Sequence, residues 1–489
     1  MFIQKGRVLM PRRFETTVQW LRHQVLVEVA RMAMNGKIEQ DKEMIPYVVV
    51  PGKKSRFRCC VYKERAVVKQ RVELACGSGS DGSRNCKSGE IIQVLETGCD
   101  ECPVDRFTIT EACRGCISHP CMESCPVDAI VQINRRAYIN QNKCIECGRC
   151  HSACPYDAIA DTQRPCIKAC PVKAIDFGED KVARINQDKC IYCGLCALRC
   201  PFGAIADVSC IIQVVELLKK KDQVPIHVVM APSIVAQFED ISLEQIHGAL
   251  KALGFSAVHE AALGADMILA EEAEEVLEKV REGSFLTSSC CPAFVEIIRK
   301  HFPELQHNIS TSVSPMIAVG RYVKKQHPEA ITIFIGPCIA KKVEARQGDR
   351  NDAIDYALTF EEMLALFVAA GIEPAECEPI PLEQSSVFGR AFARCGGVGE
   401  AVAQAVKEYN LPLQVNPVKC DGAAECIKAL RMAKAGRPPG NFIEGMACVN
   451  GCVGGPASFN HKAKAKRMVD EHSKKAILKT ISEATSLLK

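Results

Sequence analysis

Two runs of cysteine share one spacing. Cys144, Cys147, Cys150 and Cys154 are separated by two, two and three residues and precede Pro155; Cys190, Cys193, Cys196 and Cys200 repeat this before Pro201. Three thiolates on so tight a loop can wrap one corner of an iron–sulfur cubane, and a fourth after a Pro-directed turn points to a neighbouring cluster. Cys113, Cys116, Cys121 and Cys125 form the same motif with two extra residues before the third Cys. Zinc is the alternative, but its paired C-x2-C knuckles need neither the third Cys nor the trailing Pro.

The spacing is that of bacterial ferredoxins, in which the fourth Cys of each motif serves the other cluster. It predicts one quartet of Cys113, Cys116, Cys121 and Cys154 and another of Cys144, Cys147, Cys150 and Cys125. Cys190, Cys193 and Cys196 can take Cys170. Cys166 and Cys200 then need two partners, and Cys99 and Cys102, a C-x2-C before Pro103, are unspent. Either these four hold a fourth cluster, or there are three clusters and Cys99 and Cys102 are structural. His119 and His151 lie among filled spacings and read as surface or supporting residues.

A second constellation holds five cysteines in three places. Phe285-Leu-Thr-Ser-Ser-Cys290-Cys291-Pro292 reads as a short strand whose Pro opens the next helix. Ile331 to Ile335 is a β-branched run ending in Gly336-Pro337-Cys338, followed by Lys341, Lys342 and Glu344. Glu444-Gly-Met446-Ala-Cys448-Val-Asn-Gly451-Cys452-Val-Gly454-Gly455-Pro456 is a Gly-rich turn. Ligand sites in open α/β sheets lie at the carboxyl ends of strands, so thiolates from three such ends can converge on one more cluster.

The elements that must position these residues follow from pattern. Cys-Pro-Val-Asp-Ala-Ile (125–130), Cys-Pro-Tyr-Asp-Ala-Ile (154–159), Cys-Pro-Val-Lys-Ala-Ile (170–175) and Cys-Pro-Phe-Gly-Ala-Ile (200–205) are four copies of one unit, a mark of tandem small modules. Residues 99–208 are thus expected to be α+β ferredoxin-like modules. Residues 1–98 read as an amphipathic helix (Phe14 to Met34), a strand-like run (Pro46 to Val50), a basic segment with eight Lys/Arg against one Glu between Lys53 and Arg71, and a loop of small residues from Gly77 to Gly89. Residues 211–221 read as a connecting helix. From 222 to 489, alternating apolar strands and amphipathic helices give an α/β domain; a family resemblance carried by its Cys segments implies a catalytic domain of two twisted sheets flanked by helices, with the site between its lobes.

Composition bounds the function. Of 489 residues 30 are Cys, and the formal charge of +4 is too small to argue for nucleic acid or a membrane surface. At 47 % hydrophobic and 25 % charged residues, global disorder is excluded. No apolar run reaches the roughly 18 residues of a membrane helix. Arg12-Arg13 faintly echoes a twin-arginine signal, but an amphipathic helix follows it. The expected compartment is the cytoplasm, where clustered thiols stay reduced and hold metal.

The three Cys segments resemble the signature motifs of the iron-only (di-iron) hydrogenases: T-S-C-C-P-x-W, P-C-x-x-K-x-x-E and E-x-M-A-C-x-x-G-C-x-x-G-G. The resemblance runs from about residue 99 to the end. It implies that Cys291, Cys338, Cys448 and Cys452 bind a cubane, with Cys452 bridging to a two-iron subsite carrying CO and cyanide, the H-cluster. It implies that Cys290 passes protons, that Lys341 hydrogen-bonds a cyanide, and that Pro232, Ser233 and Met446 contact the cofactor. The family's proton path maps onto Glu272, Ser310 and Glu275 as well as Cys290; the alternative for Glu271 to Glu275 is a solvated acidic face. Phe294 stands for the motif Trp, Gly336 precedes Pro337 where well-studied members place Met, and the third motif's glycine run is shortened. These departures resemble the divergent group B branch.

The function implied is reversible proton reduction to H2, with electrons from ferredoxin or a similar low-potential carrier passed along three to four accessory 4Fe-4S clusters, and with hydrogenase maturation proteins as partners. The basic run could dock an acidic ferredoxin or be a solvated helix face. Other readings are an H2-sensing regulatory protein, or an iron–sulfur assembly or carrier protein lacking the two-iron subsite. No G-x-G-x-x-G follows a strand, which argues against direct NAD chemistry.

Overall fold

The computed structural model describes residues 14–78, 86–87, 89–347, 352–382, 384–486 and 488. Arg12, Arg13 and part of the Gly77–Gly89 loop lie outside the described residues. The helix Thr17–Met34 forms as expected, opened by a capping box in which Thr16 and Gln19 satisfy each other's backbone N–H groups. Arg22 donates to Glu361 at 2.6 Å with both side chains buried. Val25, Val29, Ile45 and Val72 share one continuous core with strands and helices of the C-terminal half. The N-terminal helices therefore pack as an arm on the α/β region.

Two expectations here are corrected. The Pro46–Val50 run lies in a helix, Ile45–Val49, with Pro46 in its first turn. Burial of Ile45, Val49 and Val50 in the common core decides the conformation against the β propensity of Val, a usual case of tertiary context winning. The basic segment is a solvated cationic face only in part: Lys53, Lys54, Arg56 and Lys69 are exposed, and other cations are tied into the fold. Arg65 bonds the carbonyls of Val50 and Gly52, Arg58 those of Gly98 and Phe202, and buried Arg71 that of Gly203. Lys63 pairs with Asp100 and Lys69 with Glu43. These cations serve local closure, and in Arg71's case the seam with the Cys-rich region.

The Cys-rich region is one ferredoxin-like module inserted into another. β1 (Ile92–Val94) starts the outer module, upstream of the expected boundary at 99. The chain then enters the inner module, β2 (Phe107–Ile109), β3 (Ile130–Ile133), β4 (Arg136–Ile139) and β5 (Ile159–Asp161), where β2 pairs with β5 and β3 with β4. It returns to the outer module through β6 (Ile175–Phe177), β7 (Ala183–Ile185) and β8 (Ile205–Asp207), where β6 pairs with β7 and β8 closes antiparallel on β1. Each module is thus a terminal strand pair plus a hairpin.

The repeat unit has a physical reason. In all four copies the Ala backbone N–H donates to the Cys Sγ of the same unit, at 3.2, 3.3, 3.1 and 3.3 Å for Cys125, Cys154, Cys170 and Cys200. The residue before each Ala (Asp128, Asp157, Lys173 and Gly203) has φ between 46° and 60°, which turns that N–H back onto the sulfur. The Ile that follows begins β3, β5, β6 or β8. Such N–H···S bonds delocalise thiolate charge and tune a cluster's potential.

The helix Ile211–Leu218 leads to the α/β region, whose two sheets are parallel. β9 (Ile226–Met230), β10 (Ala257–Glu260), β12 (Ile331–Gly336) and β13 (Tyr356–Thr359) form one in the order β10-β9-β12-β13; β11 (Leu286–Thr287), β14 (Pro417–Asp421) and β15 (Phe442–Met446) form the other in the order β11-β15-β14. The inner strands β9, β12 and β15 are short and buried on both faces, as crossover-connected parallel strands require. A cavity lies where the carboxyl ends of β9, β11, β12 and β15 meet.

Candidate functional site

All three expected strand ends deliver residues to that cavity. Cys290 and Cys291 follow β11, and Pro292 opens the helix Pro292–His301. Cys338 follows β12, and Lys341 lies in the helix Ala340–Glu344. Met446 ends β15, and Cys448 and Cys452 flank Gly451, whose φ of 76° suits only glycine without strain. Pro232, after β9, completes the ring. The cavity has a volume of about 90 Å³, and alanines and prolines line most of the remainder.

Burial raises the proton affinity of Cys338, Cys448 and Cys452, and Cys291 lies close enough to add to it; Cys338 is pushed up to about 11 and Cys452 to about 12. Thiols so placed hold their thiolate form only against a strongly cationic centre. Ser233 is fully buried and its hydroxyl has no hydrogen-bond partner in the chain, a costly arrangement unless a bound group supplies one. Lys341 donates to Glu344 at 2.6 Å and to the Cys290 carbonyl at 3.2 Å, leaving a third N–H at the cavity wall. Burial works to lower its pKa, but Glu344 more than compensates and keeps it cationic. The donor set therefore fits an anionic iron–sulfur assembly with room for more beside it.

Behind Cys290 runs a line of acids. Glu272 is 1 % exposed, so it is not part of a solvated face; Glu271 and Glu274 on the same helix are the exposed ones. Burial, then Glu275 and Glu444, pushes the Glu272 carboxyl up to about 8, and its Oε2 has no partner. Burial and then Glu272 raise the Cys290 thiol well above its ordinary value. Glu275 accepts from Ser310 Oγ at 2.5 Å and from the Thr311 backbone N–H at 2.8 Å. Cys290, Glu272, Glu275 and Ser310 thus form a sequence of neighbours leading away from the cavity.

In the ferredoxin-like modules the cysteines of each expected quartet are neighbours. Cys113, Cys116, Cys121 and Cys154 line one pocket. Cys150 lies in the field of Cys144, Cys147 and Cys125. Cys196 lies in that of Cys193, Cys190 and Cys170. Cys166, with a thiol raised to about 11 chiefly by burial, lies beside Cys200, Cys99 and Cys102, so the four left over by elimination are neighbours. Cys193 senses Cys338 and Cys448, which puts the third quartet against the cavity. His119 pairs with Gln132, and His151 Nδ1 with the Ile159 carbonyl at 2.5 Å, so both support loops.

Sequence reasoning missed part of the cavity wall. Phe334 and Phe392 line it, as do Ala261, Ala262 and Ala265 from the helix Ala261–Arg281. Each reads as ordinary core in its own stretch, and no local signal marks it. Thr311, which shares Glu275 with Ser310, was also missed; its place beside Ser310 is the only hint. Of the remaining cysteines, Cys59 and Cys60 are exposed, Cys377 is half-buried, and Cys76, Cys86, Cys210, Cys395, Cys420 and Cys426 are buried.

Comparison with known proteins agrees with this geometry. Residues 224–456 match the model of the iron-only hydrogenase large subunit, C-terminal domain, and residues 137–160 and 183–206 match the 4Fe-4S binding domain. The chain is 28 % identical over 296 residues to iron hydrogenase 1 of Clostridium pasteurianum, covering 50 % of this chain and 51 % of that protein. It is 29 % identical over 255 residues to the periplasmic Fe hydrogenase large subunit of Nitratidesulfovibrio vulgaris, covering 42 % and 60 %. It is 24 % identical over 278 residues to cytosolic iron-sulfur assembly component 3 of Pongo abelii, covering 45 % and 58 %. The chain spans about half the length of the first of these relatives and somewhat more of the others. Among the described residues no helix is long and apolar enough to cross a membrane. The large-subunit domain places residues 224–456 in the iron-only hydrogenase family, preceded in the chain by two matches to the 4Fe-4S binding domain.

Proposed function

We propose that this chain catalyses the reversible reduction of protons to H2. The observation that carries the reading is the meeting of four cluster-type thiols with Cys290 and Lys341 around one mostly apolar cavity. Cys291, Cys338, Cys448 and Cys452 would hold the cubane of an H-cluster, and Pro232, Ser233 and Met446 would bound its two-iron part. When bound, that group would supply an open metal site at which two electrons and two protons combine.

The chain's own residues supply the rest. Lys341 offers a charge-assisted N–H to an anionic diatomic ligand. Cys290 keeps a proton on Sγ at the cavity edge, because burial disfavours its thiolate. Glu272, with its proton held to about pH 8, can exchange one with Cys290, and the Glu275–Ser310 pair carries the relay toward solvent. The apolar wall excludes water, so the relay sets where protons enter. Electrons would arrive singly through the third quartet beside Cys338, having crossed the two modules from ferredoxin or a similar low-potential carrier; maturation proteins would install the two-iron part.

Cys290 and Lys341 also separate this reading from that of an assembly or carrier protein, since a bare cubane needs neither. The deciding experiment is infrared spectroscopy after expression with maturation enzymes, alongside H2 production from reduced viologen. Bands of CO and cyanide with H2 turnover support the enzyme. Absence of both overturns it.

A further inference from the structure

The strand end that delivers Cys338 has an unusual wall. Phe334 and Gly336 are two apart on β12 and so project from the same face. A Cβ placed on Gly336 would lie 2.5 Å from both Cε1 and Cζ of Phe334, and 3.3 Å from the Cβ of Ala231. The space that a side chain at 336 would fill is therefore occupied by the Phe334 ring. That ring is 3 % exposed and lines the cavity, close to the Ala231–Pro232 turn. Gly445 also lies under a ring, that of Phe294, but neither of these lines the cavity, so that pair serves packing alone.

Apart from its thiols and Lys341, the cavity offers almost no polar group. Small apolar molecules are what such a surface admits, and bulk on the wall controls them. Phe334 and Phe392 are the only aromatic side chains on that wall among the described residues. Phe392 is carried by the chain ahead of the helix Gly397–Glu408, whereas Phe334 sits on the strand that presents Cys338 itself.

We propose that Phe334, folded over Gly336, is a specificity-determining residue: its ring fills the cavity wall beside the Ala231–Pro232 turn and restricts the approach of diatomic gases to the metal site. The inference rests on the hydrogenase reading for its consequence, but not for its geometry. Truncating the ring leaves an apolar void, and such voids stay dry and accept xenon.

The test uses F334A, F334L, G336A and the double variant F334A/G336A in the iron-loaded chain. Xenon occupancy is measured by xenon NMR or in crystals under xenon pressure, and the rate of CO inhibition is measured during viologen-driven H2 production. F334A is expected to gain a xenon site at the wall and to be inhibited by CO about tenfold faster, a barrier change of about 1.4 kcal/mol. F334L should fall between it and the parent. G336A should lower the thermal midpoint of the parent but add little further loss on the F334A background, because the methyl then has the ring's space. Unchanged xenon occupancy and CO rate in F334A and F334L, with iron content intact, would overturn the proposal. If the parent chain lacks CO and cyanide bands, the hydrogenase reading falls, and the xenon arm still judges the wall. Should F334A not fold, F334L carries both measurements.

Discussion

Replacing Glu272 by Gln removes one titrating group from a place that rejects charge. In the folded chain burial, with Glu275 and Glu444 adding to it, holds this carboxyl at about 8 against an ordinary value of 4.5. Between those values the folded chain binds one proton that the unfolded chain has released. The stability contributed by this protonated group is fully present below about pH 4.5, declines as pH rises, and is lost once pH passes the folded value near 8. One such proton is worth about 1.4 kcal/mol per pH unit, so the whole window amounts to about 5 kcal/mol at most. Gln keeps the shape and carries no such slope. Urea unfolding of parent and E272Q, run side by side from pH 5 to 8.5, should show the variant gaining on the parent steadily as pH rises. Water reaching the carboxylate would shrink the total while keeping its sign. Parallel curves, with a difference changing by less than about 1 kcal/mol, would refute the claim that Glu272 is protonated in the fold. The same variant should lose two to four orders of magnitude in H2 turnover, about the scale of a lost proton-transfer group.

Other outcomes follow from particular contacts. C99A/C102A should lower iron by about four per chain and remove one cubane signal in electron paramagnetic resonance, while an unchanged count would leave three accessory clusters. Lys342 is 3 % exposed and bonds Asp207 at 2.7 Å and Glu362 at 3.0 Å, so K342M should cost about 3–5 kcal/mol in denaturant unfolding by stranding two carboxylates. A Cβ on Gly194 would sit 2.7 Å from Ile339 Cδ1 and 2.8 Å from Pro456 Cγ, at a φ of 73°. G194A should therefore force the third quartet away from the cavity and slow electron delivery from reduced carrier, with iron content unchanged; an unaltered rate would show that this seam does not set electron transfer.

What could be seen in the sequence was what the chain settles locally. The Cys-Pro-x-x-Ala-Ile unit is legible because its N–H···S bond, its left-handed turn residue and its strand start all fall within six residues. The three catalytic-domain motifs are legible because each is a strand end followed by a fixed turn. Pairing of Cys99 and Cys102 with Cys166 and Cys200 could be reached only by elimination, since the partners are brought together across an intervening module. The helix at Ile45–Val49 was hidden because its conformation is decided by distant helices. Glu272 and Glu271 look alike in sequence, and only the packing of their helix separates a buried acid from a solvated one. Phe334 was invisible for the same reason: a Phe in a buried strand is ordinary, and its role comes from the glycine two residues on.

The insertion of residues 103–165 between Cys102 and Cys166 has a consequence for the order of assembly. The outer module cannot gather its own quartet until the ends of the insert are brought together. Closing a flexible loop of that length costs about 3 kcal/mol more than closing a two-residue link. The insert removes that cost by folding, because Thr162 bonds the carbonyls of Arg106 and Asp105, and Arg164 Nε bonds that of Pro103 at 3.2 Å. Folding is then hierarchical, inner module first, and Cys99, Cys102, Cys166 and Cys200 are the last cysteines of the Cys-rich region to be gathered. A lesion in the inner module should therefore reach this quartet as failed assembly and not as slow chemistry.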